Sequence, residues 1–223
     1  DTHGEHEALT GRLPEGDVLL HAGDVSMCGE PRELRAFGRW LSSLPYARKV
    51  FVAGNHDLML DRHYAGHDTP AVADAALAAL RSACDGSVVF LQDGEHSASG
   101  VRIYGSPWQP AFGSWAFNLP RGRPLREKWR AIPEGVDVVL VHGPPLGRGD
   151  RLAGSERRVG CADLLAELQG RVRPAFCVFG HLHEGWGVSF DGTTHYVNAS
   201  SLDHHYASTN APLVFDIQVP EQP

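Results

Sequence analysis

Asn55, His56 and Asp57 follow one another directly after Gly54, at the end of the apolar run Val50-Phe51-Val52-Ala53. The amide oxygen of Asn55 can ligate a cation, the His56 imidazole can move a proton near neutral pH, and Asp57 is the local candidate to orient that ring. Coordination and proton transfer are the chemistries these groups offer. The run before them reads as a strand interior by its β-branched and aromatic content, and Gly54 lets the chain turn sharply. The same arrangement recurs along the sequence. Val18-Leu19-Leu20-His21-Ala22 leads into Gly23-Asp24, Val138-Val139-Leu140-Val141 into His142-Gly143-Pro144-Pro145, and Phe176-Cys177-Val178-Phe179 into Gly180-His181-Leu182-His183, while the chain opens on Asp1-Thr2-His3.

Taken in order, Asp-x-His, Gly-Asp, Gly-Asn-His-Asp, His followed by Gly, and Gly-His-x-His resemble the calcineurin-like metallophosphoesterase superfamily over nearly the whole chain. Gly105-Ser106-Pro107-Trp108, Phe117-Asn118-Leu119-Pro120-Arg121-Gly122 and His183-Glu184-Gly185 are similar to its brain-type metallophosphoesterase-domain branch, which is associated with phosphodiesterase activity on cyclic nucleotides. The resemblance implies an α/β fold, a four-layer αββα sandwich of two mixed β-sheets flanked by helices, with the site at one edge. It also implies two metal ions. Asp1, His3, Asp24 and His183 would hold one, Asp24, Asn55, His142 and His181 the other, and Asp24 would bridge.

A water or hydroxide caught between cations roughly 3.5 to 4 Å apart is deprotonated near neutral pH and aimed at phosphorus. Carboxylate, imidazole and amide donors suit manganese, iron, zinc or cobalt better than copper(I) or calcium. Manganese is the expected ion, although no residue selects among them. With Asn55 supplying the metal contact, His56 is expected to act as general acid toward the leaving alkoxide, and Asp57 to orient it. One departure from the superfamily bears on substrate. Many of its phosphomonoesterases carry Asp three residues after the bridging aspartate and then Arg-Gly, where Met27 and Cys28 stand here. A diester, such as a small cyclic nucleotide, is therefore the expected substrate, and a phosphomonoesterase, a nuclease of the same fold or a non-catalytic scaffold the alternatives. Trp108, Trp115 and Phe117 are candidates to stack a base, and Asn118 or Arg121 to bind a phosphate or sugar. A self-packed loop, lid or dimer contact would use the same residues.

The elements that must position these groups follow from pattern. Pro31 opens a helix carrying Leu34, Phe37, Leu41 and Leu44 at helical spacing until Pro45. Thr69-Pro70 opens an alanine-rich one that runs through Cys84. Val88-Leu91 and Val101-Tyr104 read as strands joined by a polar turn, Leu125 to Trp129 as a short helix, and Leu164, Leu165 and Leu168 as an apolar helical stripe. Asp191-Gly192 marks a hairpin between Val188-Phe190 and Thr194-Val197, and Leu213-Val214-Phe215 a last strand. If Asp1 is a ligand at the tip of a strand, as Asp24 and His142 are, a further strand precedes it.

The 223 residues fit one domain with a large core. The four cysteines form no Cys-x-x-Cys pair and read as reduced, mostly buried thiols of a cytoplasmic protein. A formal net charge of -7 argues against generic nucleic-acid binding, though not against a nucleotide substrate. No apolar run approaches the roughly 20 residues needed to span a bilayer. Oligomeric state is not encoded in any recognisable pattern.

Overall fold

The computed structural model describes residues 1–64, 66 and 70–219. The strand tips that carry the polar motifs belong to two sheets. The first contains β1 (Val18–His21), β2 (Arg48–Phe51) and β3 (Val88–Phe90), all parallel and in that order. The second is six-stranded and mixed. It is built from β4 (Gly94–Ala98) and β5 (Val101–Ser106), from β8 (Val138–Val141) and β9 (Phe176–Phe179), and from β10 (Gly187–Phe190) and β11 (His195–Asn198), in the order β10-β11-β9-β8-β5-β4. Between β5 and β8 lies a two-residue parallel pair, β6 (Gln109–Pro110) with β7 (Asn118–Leu119).

Period-2 side chains glue the layers together. Val50 and Val52 on one side of β2 join Ile103, Val138, Leu140, Val178 and Val197 in a core between the two sheets. Phe51, on the opposite face, meets Phe37 at 5.3 Å between ring centroids and Phe90 at 5.1 Å. Phe37 belongs to α1 (Pro31–Ser43), which packs beside α2 (Ala71–Arg81) over the first sheet. Trp129 of α3 (Arg123–Arg130) and Leu164 of α4 (Ala162–Glu167) do the same for the second. Helices thus lie over the outer faces of both sheets, and β2, β8 and β9 are buried toward their tips, whereas Val18, Leu19 and Leu20 of the edge strand β1 are half-buried.

Local signals place most boundaries. Pro31 occupies the first turn of α1, and the Glu33 carboxylate folds back to accept from the backbone N–H groups of Glu30 (2.9 Å) and Met27 (3.2 Å). The Asp191-Gly192 hairpin forms, with Gly192 at φ +96. Thr69, expected as a cap, and the strand expected before Asp1 lie outside the described residues.

Two expectations are corrected. Val88-Leu91 and Val101-Tyr104 are not joined by a turn, because they lie in different sheets. A polar strand, β4, intervenes and pairs antiparallel with β5 through Ser99 (φ +51) and Gly100 (φ +81). Leu213-Val214-Phe215 is extended and keeps strand-like alternation, with Leu213 and Phe215 packed on the inter-sheet core and Val214 64% exposed. It pairs with no strand among the described residues, and together with β1, the edge strand of the first sheet, it lines a groove of about 310 Å³. No helix among the described residues is long and apolar enough to cross a membrane. Of the thiols, Cys161 and Cys177 are buried, whereas Cys28 is exposed.

The ring packing on β2 sets an expectation for stability. Phe51→Ala should cost about 3 to 5 kcal/mol, whereas Val214→Ala should stay within about 0.5 kcal/mol. Urea unfolding of both variants measures the difference, and comparable losses would contradict the layering.

Candidate metal centre

Asp24 is the hub. It follows β1 through Gly23 and takes a left-handed backbone at φ +51. Its main-chain carbonyl accepts from the N–H groups of Thr2 (3.0 Å) and His3 (2.9 Å), which straps the first residues against it. Its Oδ1 accepts from the His56 N–H at 2.8 Å. Oδ2 is left facing His142 Nε2 at 3.3 Å and His3 Nε2 at 3.5 Å. Burial opposes charge on Asp24, but the His142 and His3 rings beside it hold its carboxyl well below the usual range.

Tautomers can be read from the carbonyls behind the rings. His142 Nδ1 lies 2.8 Å from Ala22 O, which can only accept, so this nitrogen carries the proton. In its neutral form the ring presents the lone pair of Nε2 to Asn55 Oδ1 at 3.0 Å and to Asp24 Oδ2. His183 repeats the arrangement. Its Nδ1 donates to Asp203 O at 3.0 Å, and its Nε2 faces Asp1 Oδ2 at 3.2 Å and His3 Nε2 at 3.3 Å. Asp1 Oδ2 accepts from the His181 N–H at 2.7 Å, while the buried Asp1 Oδ1 and His3 Nδ1 have no hydrogen-bond partner. Lone pairs thus converge where protons would be needed to reconcile them.

Burial denies those protons. It pushes His3 and His181 down to about 3, and His183 below its ordinary value as well. Cations meet the same demand. Asp1, His3 and His183 form one group whose ligand atoms lie within 4.8 Å of one another, and Asp24, His142 and His181 form another. The donor set fits divalent metal ions on both counts.

Close approach of backbone to ligand is secured by glycine. A Cβ on Gly180 would overlap the Asp1 carboxylate, one on Gly54 would overlap that of Asp24, and one on Gly23 would sit 2.6 Å from His142 Nδ1. His3 (φ +44) and His181 (φ +70) join Asp24 in the left-handed region, where non-glycine residues are strained.

His56 is half-buried beside this centre. Its ring meets His3 edge-on at 4.5 Å and stacks on Trp115 at 4.2 Å. His3, Asp24 and His56 also come within ligand distance of one another. The partner of His56 corrects an expectation, because Nδ1 faces Met27 O at 3.1 Å rather than Asp57. Asp57 is fully buried on the other side of the loop. It accepts from the N–H groups of Gly54 (2.8 Å), Ser26 (3.0 Å) and Val25 (3.2 Å), and from the Ser26 hydroxyl (2.6 Å). It shapes the strand tips and does not touch the imidazole. Burial and the nearby charge of Asp24 push its carboxyl up to about 7, opposed by the hydrogen bonds from the Ser26 hydroxyl and the Gly54 and Val25 N–H groups.

The aromatic stretch divides. Trp115 and the exposed Phe112 reach the centre, Phe112 meeting His181 at 5.3 Å. Trp108, Phe117, Asn118 and Arg121, expected at the substrate, are engaged elsewhere. Trp108 donates to Asp93 at 2.8 Å beneath Lys128, and Phe117 is wholly buried against Trp108. Asn118 donates to Phe112 O, and Arg121 to the carbonyls of Val159 and Gly160. His204 and His205 are exposed and touch each other. Sequence reasoning missed Met27 and Asp203, which act through backbone carbonyls, and Tyr206, whose ring lies 4.9 Å from His3 and 5.0 Å from His183.

The model of the calcineurin-like phosphoesterase family matches residues 1–185. The chain belongs to that family. Metallophosphoesterase domain-containing protein 1 of Homo sapiens is 46% identical over 233 residues, covering 99% of this chain and 70% of its own. UPF0046 protein T07D4.2 of Caenorhabditis elegans is 41% identical, and the chain spans 58% of its length. Among solved structures, TT1561 of Thermus thermophilus superimposes with a TM-score of 0.57 at 14% identity, over 89% of this chain and 85% of that one. At that identity the likeness concerns the fold.

The buried rings predict a pH dependence for metal-free protein. A base whose folded pKa is lowered binds its proton only in the unfolded chain between about pH 3 and 6.5, so His3 and His181 withdraw stability as pH falls below 6.5. Asp57, raised to about 7, acts oppositely in that window, and His181 is partly open to solvent. His183, His6 and His21, also lowered by burial, act in the same direction as His3 and His181, so the net loss should be at least on the order of 1 kcal/mol per pH unit below 6.5. Urea midpoints at pH 7.5, 6.5 and 5.5 check this, and a midpoint that rises on acidification would contradict it.

Proposed function

We propose that this protein is a two-metal phosphodiesterase that hydrolyses small phosphodiesters, with cyclic nucleotides as the substrate class and manganese as the working ion. The observation that carries this reading is the convergence of proton-free acceptors around Asp24, with an imidazole that is not needed as a ligand standing beside them. Asp1, His3, Asp24 and His183 would hold one cation, and Asp24, Asn55, His142 and His181 the other. Such a pair would supply Lewis acidity, lowering the pKa of an attacking water and offsetting charge on the phosphoryl oxygens.

The chain's own residues do the rest. The Ala22 and Asp203 carbonyls hold His142 and His183 in the tautomer that presents Nε2 inward. Met27 O likewise holds a proton on Nδ1 of His56, so acid catalysis uses the imidazolium, whose second proton, on Nε2, passes to the leaving oxygen while Nδ1 stays bonded. Trp115 covers one face of that ring and excludes water from it. Trp115 and Phe112, both at the mouth, offer flat surfaces to a base. Met27 and Cys28 supply no guanidinium to grip a terminal phosphate, which favours a diester over a monoester.

Hydrolysis of bis-p-nitrophenyl phosphate beside p-nitrophenyl phosphate tests the reading in manganese-loaded protein. Diester cleavage should exceed monoester cleavage and vanish in His181→Ala. In His56→Ala the metal content should persist while kcat falls about 10² to 10⁴-fold. Unchanged turnover in that variant would remove His56 from the reaction, and monoester preference would overturn the diesterase reading.

A further inference from the structure

Tyr206 sits in a turn that the centre itself anchors. The Asp203 carbonyl that fixes His183 Nδ1 also accepts from the Tyr206 N–H at 2.9 Å. Its carboxylate accepts from the N–H groups of His205 (2.8 Å) and Ala207 (3.0 Å) and from the Thr209 hydroxyl (3.3 Å). The Asp203 N–H donates to Ala207 O. Arg12 pins the far end through Ser208 O and Asn210 O. Within this clamped turn Tyr206 is forced to φ +63, a strained conformation for a side chain of its size.

Packing does not explain that strain. The residue is 47% exposed, and its ring meets those of His3 and His183 edge-on, so it contributes little to the core. What the turn accomplishes is to hold a phenol at the mouth of the centre, across His3 from His56 and Trp115. A phenol ordinarily titrates near about 10, so its hydroxyl is a neutral donor at physiological pH.

We propose that Tyr206 is a substrate-binding residue whose hydroxyl donates a hydrogen bond to a non-bridging oxygen of a phosphoryl group seated on the Asp1, His3 and His183 side of the centre. This rests on the two-metal reading and adds the group that fixes the phosphoryl oxygens from the protein side. Strain at Tyr206 is then the cost of placing a neutral donor where a charged one would compete with the cations.

The test uses Tyr206→Phe, which keeps the ring and loses the hydroxyl. Inorganic phosphate binding to metal-loaded protein, measured by titration calorimetry, should weaken about tenfold, as expected for loss of a hydrogen bond to a charged group. Metal content and the urea midpoint should not change. For a series of aryl phosphodiesters, kcat/KM should fall by a common factor whatever the leaving group. Phosphate affinity equal to that of the parent protein would overturn the proposal. A loss that grows with leaving-group basicity would also overturn it, since the hydroxyl would then serve the leaving oxygen. If no diester is turned over yet phosphate binding still weakens, the diesterase reading fails and the role of Tyr206 stands.

Discussion

Electrostatic frustration at Asp24 is the constraint on which the rest depends. An ionised carboxylate, an amide oxygen and the lone pairs of several imidazoles are pressed together in a buried space, and the described residues supply too few protons to reconcile them. Without a cation that cluster is a net cost, because buried polar groups without complementary partners are expensive. The fold therefore has to hold by force what electrostatics would push apart. It does so by mounting Asp24, Asn55, His142 and His181 just beyond the ends of packed strands and by strapping Asp1 and His3 to Asp24 through backbone hydrogen bonds. The carbonyls of Ala22, Met27 and Asp203 then lock three rings from behind. Rigid support and unsatisfied acceptors together make a centre whose stability is linked to what it binds.

Much of this was legible in the sequence because it is local. An apolar run followed by glycine and a polar residue marks a strand tip within a few positions, and Asp24, Asn55 and His181 follow that rule, while His142 ends its run directly and has its glycine after it. The two helices over the first sheet, and the hairpin at Asp191-Gly192, were equally local signals. The ligand groups come together because the order of strand tips dictates it, which is why motif order carries more information than any single motif.

What sequence could not display falls into two physical kinds. One is the backbone: Met27 and Asp203 act through carbonyls, which every residue has. Asp57 illustrates the converse, for its side chain was the obvious partner of the adjacent His56 until the loop turned it toward the N–H groups of Gly54, Val25 and Ser26. The other is tertiary context. β4 is polar because it is an edge strand, so it has no hydrophobic signature to read. Trp108 and Phe117 looked like recognition surface, yet they pack against each other in the interior, while Trp115, in the same stretch, meets His56.

Gly23, Gly54 and Gly180 give the centre an asymmetric mutational landscape. Any replacement of glycine adds at least a Cβ, and at these positions that one carbon lands on a ligand atom or within 2.6 Å of a ligand ring. Substitution by degrees is therefore closed off: a ligand residue can be exchanged for another donor and the site retuned, but the spacers beside the ligands admit no intermediate. A lineage that lost one of them would surrender the whole centre in a single step, and lines that keep the centre should carry all three glycines even where the groups around them have drifted.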